Sequence, residues 1–295
     1  MTENNANNFA PPSVAIEGVY DGEYGAQLQQ AHIAALQWYL DNGVDEALLD
    51  TPTDRTAVPD IKEIIQKVPA PAQPSLAQQS DTNQMLGAVA AIKQAQALMQ
   101  TTQTLDGLKD NIEQFDGLSI KKTATNMVFA DGNPKAHIMV IGEAPAADDD
   151  AQGKSFMGEN GILLDKILAC IGLDRQAQEP EKSVYITNVL NWRPPGNRTP
   201  TAAEMDICRP FIEKHIALIR PQYLIICGGM AAKTLLNSTE SISKLRGKFH
   251  NMTIEGVNIP TMVTYHPAYL LKTPSQKKAV WTDMLMLKDI KDAES

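Results

Sequence analysis

The sequence is poor in everything that would tie it to a membrane, a disulfide scaffold or a nucleotide phosphate loop. No run approaches the roughly 18 apolar residues a membrane span needs. The opening residues, MTENNANNFAPPS, have neither the basic nor the apolar segment of a secretory leader. A cytoplasmic chain without membrane association is therefore expected. Three cysteines, Cys170, Cys208 and Cys227, make an odd set without metal-ligand spacing. Each falls in an apolar pattern where a buried thiol acts as a small hydrophobe, so neither a disulfide framework nor a zinc knuckle is indicated. The glycine patterns GxGxxG and GxxxxGK are missing as well, which counts against a nucleotide-binding protein using GEAPA as a phosphate loop. Excess positive charge is also lacking, the net charge being -9. The charge is uneven, however: residues 1–120 hold 16 acidic and 5 basic side chains, residues 121–295 hold 19 and 21. The second part can meet a phosphate backbone locally, but charge alone does not make it a nucleic-acid binder.

What is present divides the chain in two. Residues 1–22 are rich in Asn and residues 51–80 in Pro, Gln, Ala and Ser, too little apolar content to offset ordering entropy, so both read as flexible. Ile33, Leu36, Leu40 and Val44 fall near helical spacing, with Asn42 and Gly43 as a stop signal, and further helices are expected over 83–102 and 103–114. Residues 1–110 thus read as a flexible acidic arm with short helices, and 111–295 as the folded domain. From His137 onward, β-rich runs alternate with helical ones, which predicts parallel strands with crossover helices. Strands are expected at 137–142, 183–188, 222–228 and 260–265, with helices near 159–171, 202–219, 229–237 and 275–290. The fold class is α/β, a three-layer α/β/α sandwich around a central four-stranded parallel sheet.

In such sheets the ligand site lies beyond the carboxyl ends of the strands. Those ends carry Gly142-Glu143-Ala144-Pro145-Ala146, Asn188, Gly228-Gly229 and His266-Pro267. A lone strand-end Asn or His is more often a cap than a catalyst. Four strands placing small residues, an acid, an amide and an imidazole on one rim point to a site.

Three blocks at these ends, GEAPAADDDAQGKSFMGENGILLDKIL, YITNVLNWRPPGNRTPTAAEMDICRPFI and YHPAYLLKTP, resemble the uracil-DNA glycosylase superfamily, specifically its family 4 branch. The resemblance covers about residues 121–290. It implies an enzyme that flips uracil out of DNA and hydrolyses its N-glycosidic bond to start base excision repair. Phe156 would stack on the flipped base, and Asn188 would read it, donating to O4 and accepting from N3–H, the reverse of what cytosine offers. His266 would donate to O2 as negative charge develops there. Gly142 and Ala144 would line the pocket. The group that activates water stays open between Glu143 and the run Asp148-Asp149-Asp150, of which Asp150 is carried as a substrate-binding candidate and at least two are expected in a solvated acidic loop. Leu270 would enter the vacated stack as an apolar wedge, and Arg193, Arg198 and Lys272 would meet phosphates. The partner is uracil-containing DNA, the state a monomer, and the arm a place for a repair-protein partner.

The resemblance also implies a [4Fe-4S] cluster on four cysteines, and here the sequence departs. Aligned on KKTATN and NWRPP, the ligand positions hold Phe115, Leu118 and Trp192, and only Cys208 remains. One thiolate cannot hold such a cluster, so no metal and no cofactor are expected. A rival reading from another class is a non-catalytic module binding DNA or a repair partner through a decayed pocket. The lost ligands and Ala146, where the family usually has Gly, favour it; the retained Glu143, Phe156, Asn188 and His266 oppose it.

Overall fold

A computed structural model of the chain describes residues 76–293. The expected helix over 33–44 and the segments 1–22 and 51–75 lie outside the described residues. Two helices open the described part, α1 (Leu76–Thr101) and α2 (Leu105–Gln114), followed by the short strand β1 (Asp131–Gly132). The α/β core then runs β2 (Ile138–Gly142), α3 (Ala147–Gln152), α4 (Gly158–Ala169), β3 (Val184–Asn188), α5 (Ala202–Ile219), β4 (Tyr223–Cys227) and α6 (Gly229–Leu236). It closes with α7 (Ile242–Leu245), β5 (Phe249–Ile254), β6 (Val257–Thr264), α8 (Pro267–Lys272) and α9 (Lys277–Ala293). Among the described residues no helix is long and apolar enough to cross a membrane.

The four expected strands are all present and mutually parallel, but the sheet has six strands in the order β1-β3-β2-β4-β6-β5. Both edges are antiparallel additions. β1 is only two residues long, too short to leave a pattern. β5 alternates exposure on a polar-rich sequence and joins β6 through Glu255-Gly256, with φ of 46° and 83°. A two-residue hairpin with both φ positive suits the sheet twist, but Glu is not the residue such turns usually advertise.

Alternate residues of each central strand face opposite layers. Met139, Ile141, Tyr185, Leu224, Ile226 and Val263 face α5 and α6, and Ile138, Val140, Val184, Ile186 and Ile225 face α4, α8 and α9. The α5 start is fixed by a capping box: Thr201 Oγ1 accepts from Glu204 N–H at 3.2 Å and Glu204 Oε2 accepts from Thr201 N–H at 2.8 Å.

α1 places Ala91, Ala95 and Met99, four residues apart, into the α5 layer, and α2 adds Leu108 and Ile112. The described residues belong to one compact unit, in which α1 and α2 pack with the sheet domain, and residues 76–80, read as flexible, begin a helix. The chain runs from β2 to β3 on one side and then back to β4 on the other. The rim at the carboxyl end of β2 is therefore the topological switch point where ligands bind in open α/β sheets.

Candidate active site

Gly142, the last residue of β2, is the register partner of Asn188, the last residue of β3. A Cβ at Gly142 would lie 2.2 Å from Asn188 Oδ1 and 2.6 Å from Phe156 Cζ. The glycine is what lets the amide and the ring approach each other across the strand end. Asn188 is 2 % exposed and its Nδ2 has no hydrogen-bond partner. A buried amide N–H₂ left unpaired costs about 1–3 kcal/mol. The strand end thus holds a donor whose hydrogen-bonding capacity is unused.

Phe156 is buried with φ at +55°, a conformation costing a β-carbon residue about 1–3 kcal/mol. The chain holds it there from both sides. Ser155 C=O accepts from Arg175 Nη1 at 3.1 Å, Met157 N–H donates to Asp149 Oδ1, and Gly161 leaves room for the Phe156 carbonyl, which a Cβ would meet at 1.8 Å. Arg175 is itself tied to Asp165 at 2.7 Å and Asp131 at 3.2 Å. Nothing in the spacing of these residues discloses that network beforehand.

His266 follows β6 and caps α8, its Nδ1 accepting from Ala268 N–H at 3.2 Å. That bond fixes the tautomer with the proton on Nε2. Burial pulls the imidazole pKa down to about 4, so the ring is neutral at pH 7 and offers one N–H donor. It stacks on Phe156 at 5.2 Å between centroids, 28° from parallel. The capping and catalytic readings of this residue are compatible, because the cap uses one nitrogen and leaves the other.

Glu143 accepts from Met230 N–H at 2.8 Å at the start of α6. Burial pushes its carboxyl above the usual range, against the pull of the Met230 and Ala231 N–H groups. Gly228, with φ at 112°, makes space for it, since a Cβ there would be 2.4 Å from Glu143 Oε1. Glu143 and His266 together line two cavities. One, of about 310 Å³, also touches Ala144, Pro145, Ala146, Asn160, Arg198 and Lys272. The other, of about 430 Å³, is bounded by Gly228, Gly229, Ile242, Ser243, Tyr265 and Tyr269.

Several expectations need correction. Leu270 is no exposed wedge: it is fully buried with Pro267 on the inner side of α8, while Tyr269 and Leu271 on the outer side are exposed. Helical rotation, which a linear motif does not show, puts it in the core. Asp150 is not in the pocket either; its buried Oδ1 accepts from Thr125 and Asn126 N–H at 2.8 and 2.9 Å, stapling that segment to α3. The acidic run is a helix with Asp149 and Asp150 buried and only Asp148 exposed. Cys170, expected in the core, is exposed at the end of α4.

Of the expected phosphate contacts, Lys272 is exposed on the smaller cavity. Arg198, on the same cavity, pairs both guanidinium nitrogens with Glu204 at 2.9 and 2.6 Å, and Arg193 donates to Asn197 Oδ1 at 2.7 Å. Phe115, Leu118, Trp192 and Cys208 are all buried in the α5-side core, with Phe115 edge-on to Phe211 at 5.0 Å. Burial raises the Cys208 thiol pKa well above its usual range. These four side chains do not fit an iron-sulfur cluster, and among the described residues no group of three or more His, Cys, Asp or Glu could hold a metal ion. Sequence reasoning passed over Tyr265, Tyr269 and Arg175, the first two of which stand in the third block without a recognised role.

The sequence pattern of the Uracil DNA glycosylase superfamily matches residues 129–285. The chain is 36 % identical over 185 residues to a Type-4 uracil-DNA glycosylase of Archaeoglobus fulgidus, covering 61 % of this chain and 90 % of that one. It is likewise 36 % identical over 190 residues to the Type-4 uracil-DNA glycosylase of Saccharolobus solfataricus, covering 63 % and 85 %, and 33 % identical over 186 residues to that of Pyrobaculum aerophilum, covering 62 % and 92 %. With the strand-end glycine, amide and imidazole in place on a sheet of this topology, the chain belongs to the uracil DNA glycosylase superfamily.

Proposed function

We propose that this protein is a monofunctional uracil-DNA glycosylase that works without an iron-sulfur cluster. The observation that carries the reading is the unpaired, buried Nδ2 of Asn188 beside the Phe156 ring. Uracil drawn out of the helix would lie against Phe156, give its O4 to that donor and so relieve an unsatisfied group, which cytosine, offering its own amino group, cannot do. Discrimination on this basis reaches about 10⁴ to 10⁵.

As the glycosidic bond lengthens, negative charge gathers on the departing base, and the neutral His266 can donate its Nε2 proton into a hydrogen bond with O2 without giving it up. Water then meets the sugar cation, with Glu143 the carboxylate at hand; its raised pKa makes it a better base than an exposed carboxylate. DNA would run over the smaller cavity between Lys272 and Arg198, the latter exchanging Glu204 for a phosphate. On α8 the exposed aliphatic side chain that would enter the vacated stack is Leu271. No step calls for a metal, and the four cluster positions serve as core. A pocket that no longer takes up a base has no use for a strained Phe156 and an orphaned amide.

The test is single-turnover excision from matched uracil and cytosine oligonucleotides, with binding measured in parallel at fixed salt. His266→Ala should slow excision by about 10² or more with little change in binding. Asn188→Asp should lose activity and narrow the preference for uracil. Unchanged excision by His266→Ala, or equal loss of binding in both variants, would overturn the assignment.

A further inference from the structure

We propose that the cavity of about 430 Å³ on the Tyr269 side of His266 binds the base of the nucleotide next to the uracil on the same strand; this rests on the uracil reading above. The cavity shares Glu143 and His266 with the smaller one, so it lies within reach of a nucleotide next to a uracil held beside His266.

Its walls suit a base rather than a backbone. Tyr269 is 41 % exposed, and its ring lies 4.9 Å from that of Tyr265. Behind Tyr265, the Arg246 guanidinium sits 5.4 Å from the ring centroid. Arg246 is fixed in turn by the fully buried Asp283, Nη2 to Oδ1 at 2.7 Å and Nε to Oδ2 at 3.2 Å, and Asp283 Oδ2 also accepts from Thr264 Oγ1 at 2.8 Å. A ladder of carboxylate, guanidinium and two rings thus runs from the core to an exposed aromatic face. A phosphate is disfavoured in the same space. The Glu143 carboxyl lines it, and that carboxyl already occupies the Met230 N–H at the start of α6. Ser243, whose Oγ lies 2.9 Å from Ser241 Oγ, adds a polar group to the lining. Aromatic stacking without a matching set of edge donors makes the subsite tolerant of base identity.

The test uses the full-length protein and short single-stranded oligonucleotides with one uracil, in which the nucleotide on either side is in turn ordinary or an abasic analogue. Affinity is read by fluorescence anisotropy and excision under single turnover. Removing the base on one side, and not on the other, should weaken wild-type binding by about ten-fold or more, the scale of one base on one aromatic. Tyr269→Ala should bind the intact oligonucleotide with that same loss and show no further loss with the abasic one, whereas Tyr269→Phe should behave as wild type. The excision rate of the bound complex should stay within a few-fold throughout. Binding that ignores both flanking bases, or a Tyr269→Ala loss that adds to the abasic loss, overturns the subsite while leaving the uracil reading standing. Failure of the wild type to excise uracil from any of them would instead bring down the reading on which it rests.

Discussion

Replacing Gly142 by Ala is the sharpest single perturbation of this site, because one methyl group meets both Asn188 and Phe156. The new Cβ would start 2.2 Å from Asn188 Oδ1 and 2.6 Å from Phe156 Cζ. Carbon contacts settle near about 3.5 Å, so amide and ring must each retreat by about 1 Å. The strand end is buried and Phe156 is pinned through both flanking residues, so the strain has nowhere soft to go. Overpacking of this size costs about 1–3 kcal/mol, and in a domain of this size each kcal/mol lowers Tm by about 2–4 °C. The functional loss should be larger than the structural one, since a 1 Å misplacement of a positioning group costs about 10² in rate. Gly87→Ala on α1, where an added Cβ meets nothing within 4 Å, serves as the control. Circular dichroism melts and single-turnover excision of uracil decide the matter. A folded Gly142→Ala protein that excises uracil at the wild-type rate would show that Asn188 and Phe156 do not jointly hold the base.

Three further outcomes are expected. His215 is fully buried against Phe129, with Nε2 2.8 Å from Tyr185 Oη, and burial lowers its pKa to about 3; the unfolded chain takes up that proton near pH ~6.5. Stability should therefore fall as pH drops below about 6.5, by up to about 1.4 kcal/mol per pH unit for this group, and urea melts of His215→Gln between pH 6 and 4 should show a shallower slope than wild type. Parallel slopes would refute it. A chain beginning at residue 73 should excise uracil within a few-fold of full length, whereas one beginning at residue 104 loses the buried Ala91, Ala95 and Met99 and should be less stable by at least about 3 kcal/mol, read from denaturant midpoints. Protein made with iron and sulfide supplied should contain well under one iron per chain by elemental analysis, while about four would contradict the apolar reading of Phe115, Leu118 and Trp192.

The alternation of apolar runs determined the four central strands and their crossover helices. The strand-end residues Gly142, Asn188 and His266 were legible because the carboxyl rim is fixed by that alternation alone. The resemblance to family 4, aligned on KKTATN and NWRPP, implied that only Cys208 remains at the four cluster positions. What only the tertiary structure decided depends on contacts between segments distant in the chain or on rotation about a helix axis. The packing of α1 on α5 comes from Ala91, Ala95 and Met99, residues too small or too common to announce a partner. Asp150 turned from pocket candidate to staple because its acceptors meet backbone donors 24 and 25 residues away. Leu270 and Leu271 are identical side chains side by side in sequence, one in the core and one in solvent, since a rotation of about 100° per residue separates the two faces of a helix. The Arg246-Tyr265-Tyr269 ladder exists only because α7 and α9 are packed against the end of β6, and no local spacing in the sequence encodes that meeting.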